Sequence, residues 1–106
     1  MNSLINDNID KIKALCRQHK VDKMYVFGSV LTDDFSPHSD VDFLVKFFPF
    51  GTNGTFYNYF DFKESLEKLL KCRVDLVVEN TLKNPYFIKR VNENKTLIYD
   101  AGGLIS

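Results

Sequence analysis

The sequence has no excess of either charge: Lys plus Arg number 14, and so do Asp plus Glu. A protein whose main work is gripping nucleic acid carries a basic surplus. The balance therefore argues against a long polynucleotide partner, although local patches can survive a neutral total. There is no CxxC pair, and the two cysteines, Cys16 and Cys72, do not stand at a metal-ligand spacing. They read as reduced, partly buried thiols of a cytosolic protein. No apolar run approaches the length that spans a bilayer. The opening MNSLINDNIDKIKALC mixes charged with apolar residues and lacks a signal-peptide core. These absences place the chain in the cytoplasm and away from membranes. Internal repeats and a domain linker are also missing, so residues 1–106 read as a single domain.

What is present suits a small globular fold. Apolar residues make up 44% of the 106 and charged residues 26%, a balance that argues against disorder. Residues 6–20 carry Ile9, Ile12, Leu15 and Cys16 at helical spacing, with Asn6 or Asp7 as a possible cap. Residues 24–29, MYVFGS, form a strand that Gly28 breaks. Residues 30–39 read as a turn or short helix and a loop. Residues 40–47, DVDFLVKF, alternate as a second strand. Pro49 to Thr55 form a Gly-containing loop. Phe62, Leu66, Leu69 and Leu70 mark a helix over 59–71, and RVDLVVE over 73–79 is a third strand. A short helix begins near Pro85 within residues 83–92, and residues 96–99 could add an edge strand. The order α-β-β-α-β-α predicts an α/β (α+β) domain, a small mixed sheet flanked by helices.

The informative stretch is GSVLTDDFSPHSDVD, residues 28–42. In a strand, residues i and i+2 point to one face, so Asp40 and Asp42 present two carboxylates side by side. Close carboxylates repel one another unless a cation sits between them, and Mg²⁺ or Mn²⁺ is the natural partner. Asp75 lies in RVDLVV, where an acid is unusual unless it pairs or binds something. If the third strand lies beside the second, Asp75 joins the pair, and three carboxylates could hold two metal ions. Asp75 is then placed to take a proton from, or to position, an attacking hydroxyl. Gly28 lets backbone approach a phosphate, and the Ser29 hydroxyl can add a hydrogen bond to it.

Plainer readings compete. Asp40 and Asp42 could cap a loop after Ser39. Asp75 could form a salt bridge with Arg73 or Lys71. His38 reads as a solvated loop residue, and His19 as a helix-terminal one. The aromatic group Phe47, Phe48, Phe50, Phe56, Tyr57, Tyr59 and Phe60 suits core or a protein interface better than base stacking. Lys83, Lys89, Arg90 and Lys95 read as a solvated face.

The combination of Gly28-Ser29, Ser39-Asp40-Val41-Asp42 and Asp75 resembles the minimal nucleotidyltransferases of the DNA polymerase beta superfamily. The spacing from Gly28 to Asp40 fits the common form of that family without a gap. The likeness extends over nearly the whole chain, including the leading helix and the ending LKNPYFIKRVNENKTLIYDA. It implies a nucleotidyltransferase fold, with Asp40, Asp42 and Asp75 as metal-holding catalytic residues and Gly28, Ser29 and Ser39 as the nucleotide-binding set. It also implies transfer of a nucleoside monophosphate from ATP or another nucleoside triphosphate. The smallest members resemble antitoxins encoded beside a HEPN-domain toxin, and are thought to attach AMP to a tyrosine of that partner.

One departure stands out. Leu31, Thr32 and Asp33 occupy positions where many members carry Ala-Arg-Gly. That raises the alternative of a binding module that neutralises its HEPN-type partner by complex formation. Transfer to a small molecule such as an aminoglycoside would need a second domain, which a homo-oligomer could supply.

Overall fold

The computed structural model describes residues 3–27, 40–48, 55–79 and 83–102. They form α1 (Ser3–Gln18), β1 (Val21–Phe27), β2 (Val41–Phe47), α2 (Thr55–Leu70), β3 (Val74–Val78), α3 (Pro85–Asn94) and β4 (Thr96–Asp100). The expectations for residues 28–39 and 49–54 lie outside the described residues. The sheet order is β3-β2-β1-β4. β1 is antiparallel to both β2 and β4, and β2 is parallel to β3. This is the mixed sheet expected, and residues 96–100 do add an edge strand, beside β1.

The topology follows from the connections. Parallel neighbours need a crossover, and α2 supplies it between β2 and β3 on one sheet face. β3 and β4 stand at opposite edges, so α3 has to span the sheet. α2 and α3 cover opposite faces.

The main core lies between α1, α2 and one face of the sheet. Ile5, Ile12 and Cys16 of α1, Phe62 and Leu66 of α2, and Val41, Phe43 and Val45 of β2 are all fully buried there. Their spacing explains the elements: near-heptad steps on the helices and every second residue on the strand. The other face carries a smaller cluster. Phe27 and Leu44 meet Val91 of α3, with Tyr25 and Val77 partly buried around them.

Both long helices end on a lysine in the left-handed region, Lys20 at φ 60° and Lys71 at φ 58°. That position is more often Gly or Asn, so nothing in the sequence marked the ends, and the expected helices ran on to Lys20 and Lys71. β1 also begins three residues earlier than expected. Asp22 and Lys23 look like loop residues, but an irregularity in the β1–β2 register accommodates them, and Asp22 lies 3.9 Å from Lys46.

His19 stands at the end of α1, as expected, and is buried there. Its Nδ1 bonds the Leu15 carbonyl at 2.8 Å and its Nε2 lies 2.7 Å from the Asp61 carboxylate. The ring also packs against Phe62, 5.1 Å between centroids. Both nitrogens face pure acceptors, so His19 staples α1 to α2. Cys16 and Cys72 are free thiols, the first buried and the second half-buried. Burial pushes the Cys16 thiol up to about 12, which removes its reactivity at neutral pH.

Candidate active site

Asp42 and Asp75 are register partners across the parallel β2–β3 pair. Neighbouring strands lie about 4.8 Å apart, so the two carboxylates leave the sheet side by side on one face. Asp40 precedes β2 by one residue and shares the parity of Asp42. The same face carries Phe27, the β1 partner of Asp42. It is the thinly covered face, opposite α1 and α2. The two acidic motifs meet because Val74 and Leu76 are drawn into the main core, which turns Asp75 outward.

Asp40 and Asp75 are exposed, whereas Asp42 is half-buried. Burial, then the charges of Asp75 and Asp40, push the Asp42 carboxyl up to about 6. The ordering has a simple basis: Asp42 sits within the sheet, while its neighbours sit at the strand start and the strand edge. Among the described residues, no ion pair joins Asp75 to Arg73 or Lys71. The salt-bridge rival therefore finds no support.

Among the described residues, no three His, Cys, Asp or Glu side chains are gathered as a metal site. The donor chemistry nonetheless fits a hard divalent cation. All three groups are carboxylates, and Asp42 carries an electrostatic penalty from the other two that such a cation would relieve. Gly28, Ser29 and Ser39 lie outside the described residues, as do His38, Phe50 and Leu31–Thr32–Asp33.

The aromatic group divides. Phe47 and Tyr59 pack against the main core, while Phe48, Phe56, Tyr57 and Phe60 are exposed. Phe56 and Phe60 rest on one another at 4.6 Å. Lys83, Lys89 and Arg90 are exposed as expected, but Lys95 lies 4.2 Å over the ring of Tyr25.

Two residues beside the site were not expected there: Glu67 carried no sequence signal, and Tyr59 stood out only as one of the aromatic group. Glu67 of α2 accepts a hydrogen bond from the Val74 amide at 3.1 Å. Tyr59 donates its hydroxyl to the Leu76 carbonyl at 2.6 Å. Burial, and then the charge of Asp75, raise the Tyr59 hydroxyl above its ordinary range.

Residues 10–102 match the family model described as polymerase beta, nucleotidyltransferase, and the chain belongs to that family. It is 34% identical over 98 residues to a Methanocaldococcus jannaschii protein named "Putative protein adenylyltransferase", across 92% of this chain and 95% of that protein. A solved structure described as a "putative minimal nucleotidyltransferase" is similar at a TM-score of 0.72 and 30% identity, covering 91% of this chain and 95% of the other. The fold is shared at 21% identity, with a TM-score of 0.65, by a chain in the complex of tri-AMPylated Shewanella oneidensis HEPN toxin with MNT antitoxin. That match covers 92% of this chain and 74% of the other. Among the described residues, no helix is long and apolar enough to cross a membrane.

Proposed function

We propose that this chain is a divalent-metal-dependent adenylyltransferase that moves AMP from ATP to a hydroxyl of a HEPN-type protein partner, as an antitoxin-like enzyme of the cytoplasm. The observation that carries this reading is the pairing of Asp42 with Asp75 on one sheet face, with Asp40 two residues before, in a chain of the polymerase beta nucleotidyltransferase family. The acceptor and the partner rest on what the relatives are named and complexed with.

Asp40 and Asp42 would hold Mg²⁺ or Mn²⁺, with Asp75 completing the set. Bound there, the cation would neutralise phosphate charge and favour ionisation of the attacking hydroxyl. Gly28 and Ser29 cradle the phosphates through backbone N–H groups and a hydroxyl, and Ser39 supports the nucleotide at the start of the acidic motif. Asp75, the most open strand carboxylate, takes the proton of the acceptor hydroxyl. The acceptor oxygen bonds to the α-phosphorus as the bond to the bridging oxygen of the β-phosphate breaks. Pyrophosphate leaves with that electron pair.

The test is calorimetry of ATP binding with and without Mg²⁺ or Mn²⁺, comparing the native chain with Asp40→Asn/Asp42→Asn. Binding that requires the metal and disappears in the variant is expected. AMP transfer from labelled ATP to a HEPN partner should disappear with it. Metal-independent binding, or binding unchanged in the variant, would sink the reading. Leu31, Thr32 and Asp33 in place of Ala-Arg-Gly favour a second reading, a subunit that neutralises its partner by complex formation alone. In that case the partner is inhibited without any labelled product.

A further inference from the structure

β3 is an edge strand, and its backbone divides into two rows. The Arg73 carbonyl accepts from the Val41 amide at 2.9 Å, so odd-numbered backbone groups of β3 point to β2. In a strand, alternate residues point their N–H and C=O groups to opposite sides. Those of Val74 and Leu76 therefore point to the open edge, where no further strand pairs among the described residues. Open strand edges leave backbone groups unpaired and available to stray pairing.

α2 fills that edge with two side chains. Glu67 takes the Val74 N–H and Tyr59 serves the Leu76 carbonyl. The two bonds bracket Asp75 on both sides. Tyr59 is itself held, packed on the main core and edge-on to Phe60 at 5.1 Å between centroids.

We infer that Tyr59 and Glu67 are positioning residues, a two-point clamp by which α2 fixes the β3 edge and so holds Asp75 in register opposite Asp42 for metal–nucleotide binding. The inference rests on the carboxylate reading given above, but the clamp has consequences of its own. Removing a purely stabilising pair would lower the unfolding temperature and leave the site alone. A positioning pair acts on Asp75 specifically.

Two measurements test it on the full chain. The first is amide hydrogen exchange under native conditions. Glu67→Ala should speed exchange at Val74 at least tenfold while Leu44, whose amide faces β1 and not β3, keeps its protection. Glu67→Gln retains an acceptor oxygen and should restore Val74 to within about threefold of native. Equal acceleration at Val74 and Leu44 would mean global loosening and would overturn the clamp. The second is calorimetric titration with Mn²⁺–ATP. Glu67→Ala and Tyr59→Phe should each weaken binding three- to tenfold, and Glu67→Gln should recover it. On an Asp75→Asn background, Glu67→Ala should add less than twofold, because the residue it positions is gone. Native-like binding by Glu67→Ala, beside an impaired Asp75→Asn, overturns the clamp while the carboxylate site stands. Native-like binding by Asp75→Asn itself overturns the site and with it the purpose of the clamp.

Discussion

The two faces of the sheet are built differently. One is closed by α1 and α2, and its side chains from Val41, Phe43, Val45 and Phe62 are fully buried. The other is covered by α3 around Val91, Phe27 and Leu44, and leaves Asp40, Asp42 and Asp75 reachable from solvent. A domain of this size buries a limited share of its surface, and here most of it lies on one face. Stability is concentrated on one side, and that frees the other to hold like charges close together. The strand alternation that drives Phe43 inward is what drives Asp42 outward.

If that division holds, substitutions on the two faces should differ in kind as well as in size. The largest effect belongs to Phe62→Ala. This ring fills the core and touches both His19 and Phe47. Its loss should cost about 3–5 kcal/mol, a large part of the stability of a domain of this size. Chemical denaturation followed by circular dichroism reads this directly. A loss under about 1 kcal/mol would mean that the α2 face is not the main core.

Val91→Ala on the thin face removes two carbons and should cost about 2 kcal/mol. Asn84→Ala should cost about 1 kcal/mol, since the Asn84 side chain caps α3 by accepting from the Tyr86 and Phe87 amides at 3.0 and 3.4 Å. Both variants should stay folded and keep their metal–nucleotide binding within a few-fold. A Val91→Ala protein as unstable as Phe62→Ala would erase the distinction between the faces.

Much of this was legible in the sequence, and the reasons are local. Helical spacing of Ile9, Ile12 and Cys16, and alternation through DVDFLVKF, gave element types because burial on one face imposes those periods. Asp40 and Asp42 could be placed on one face from parity alone. That Asp75 stands opposite Asp42 could be anticipated only as a condition, because strand adjacency is a property of the fold. What could not be read was set by partners distant in sequence. His19 is buried because Asp61 and Phe62, more than forty residues on, are there to receive it. Glu67 looks like an ordinary residue of an amphipathic helix, and Tyr59 like one more member of an aromatic group, until the β3 edge is seen beside them. The helix ends were missed because lysine, not glycine, takes the left-handed position.

An effect no larger than that of Asn84→Ala runs opposite in sign. Burial, with Asp75 and Asp40 close by, raises the Asp42 carboxyl from 3.8 to about 6. A raised folded-state value means that the folded protein favours the protonated form. The stabilisation that this proton brings is complete below about pH 3.8 and is lost as pH rises through about 6. At neutral pH the charged Asp42 therefore opposes folding. The full shift stands for about 3 kcal/mol, but Asp42 is only half-buried, and solvent screening reduces this to about 1 kcal/mol. Asp42→Asn should accordingly be more stable than the native chain at pH 7–8 by about 1 kcal/mol, and the two should converge near pH 4. Mg²⁺ or Mn²⁺ should raise the unfolding temperature of the native chain at pH 7.5 and leave that of Asp42→Asn unchanged. Thermal unfolding across this pH range decides the matter. An Asp42→Asn protein less stable than native at pH 7.5 would show that the carboxylate serves the fold, and the open face would then not be a site held at the expense of stability.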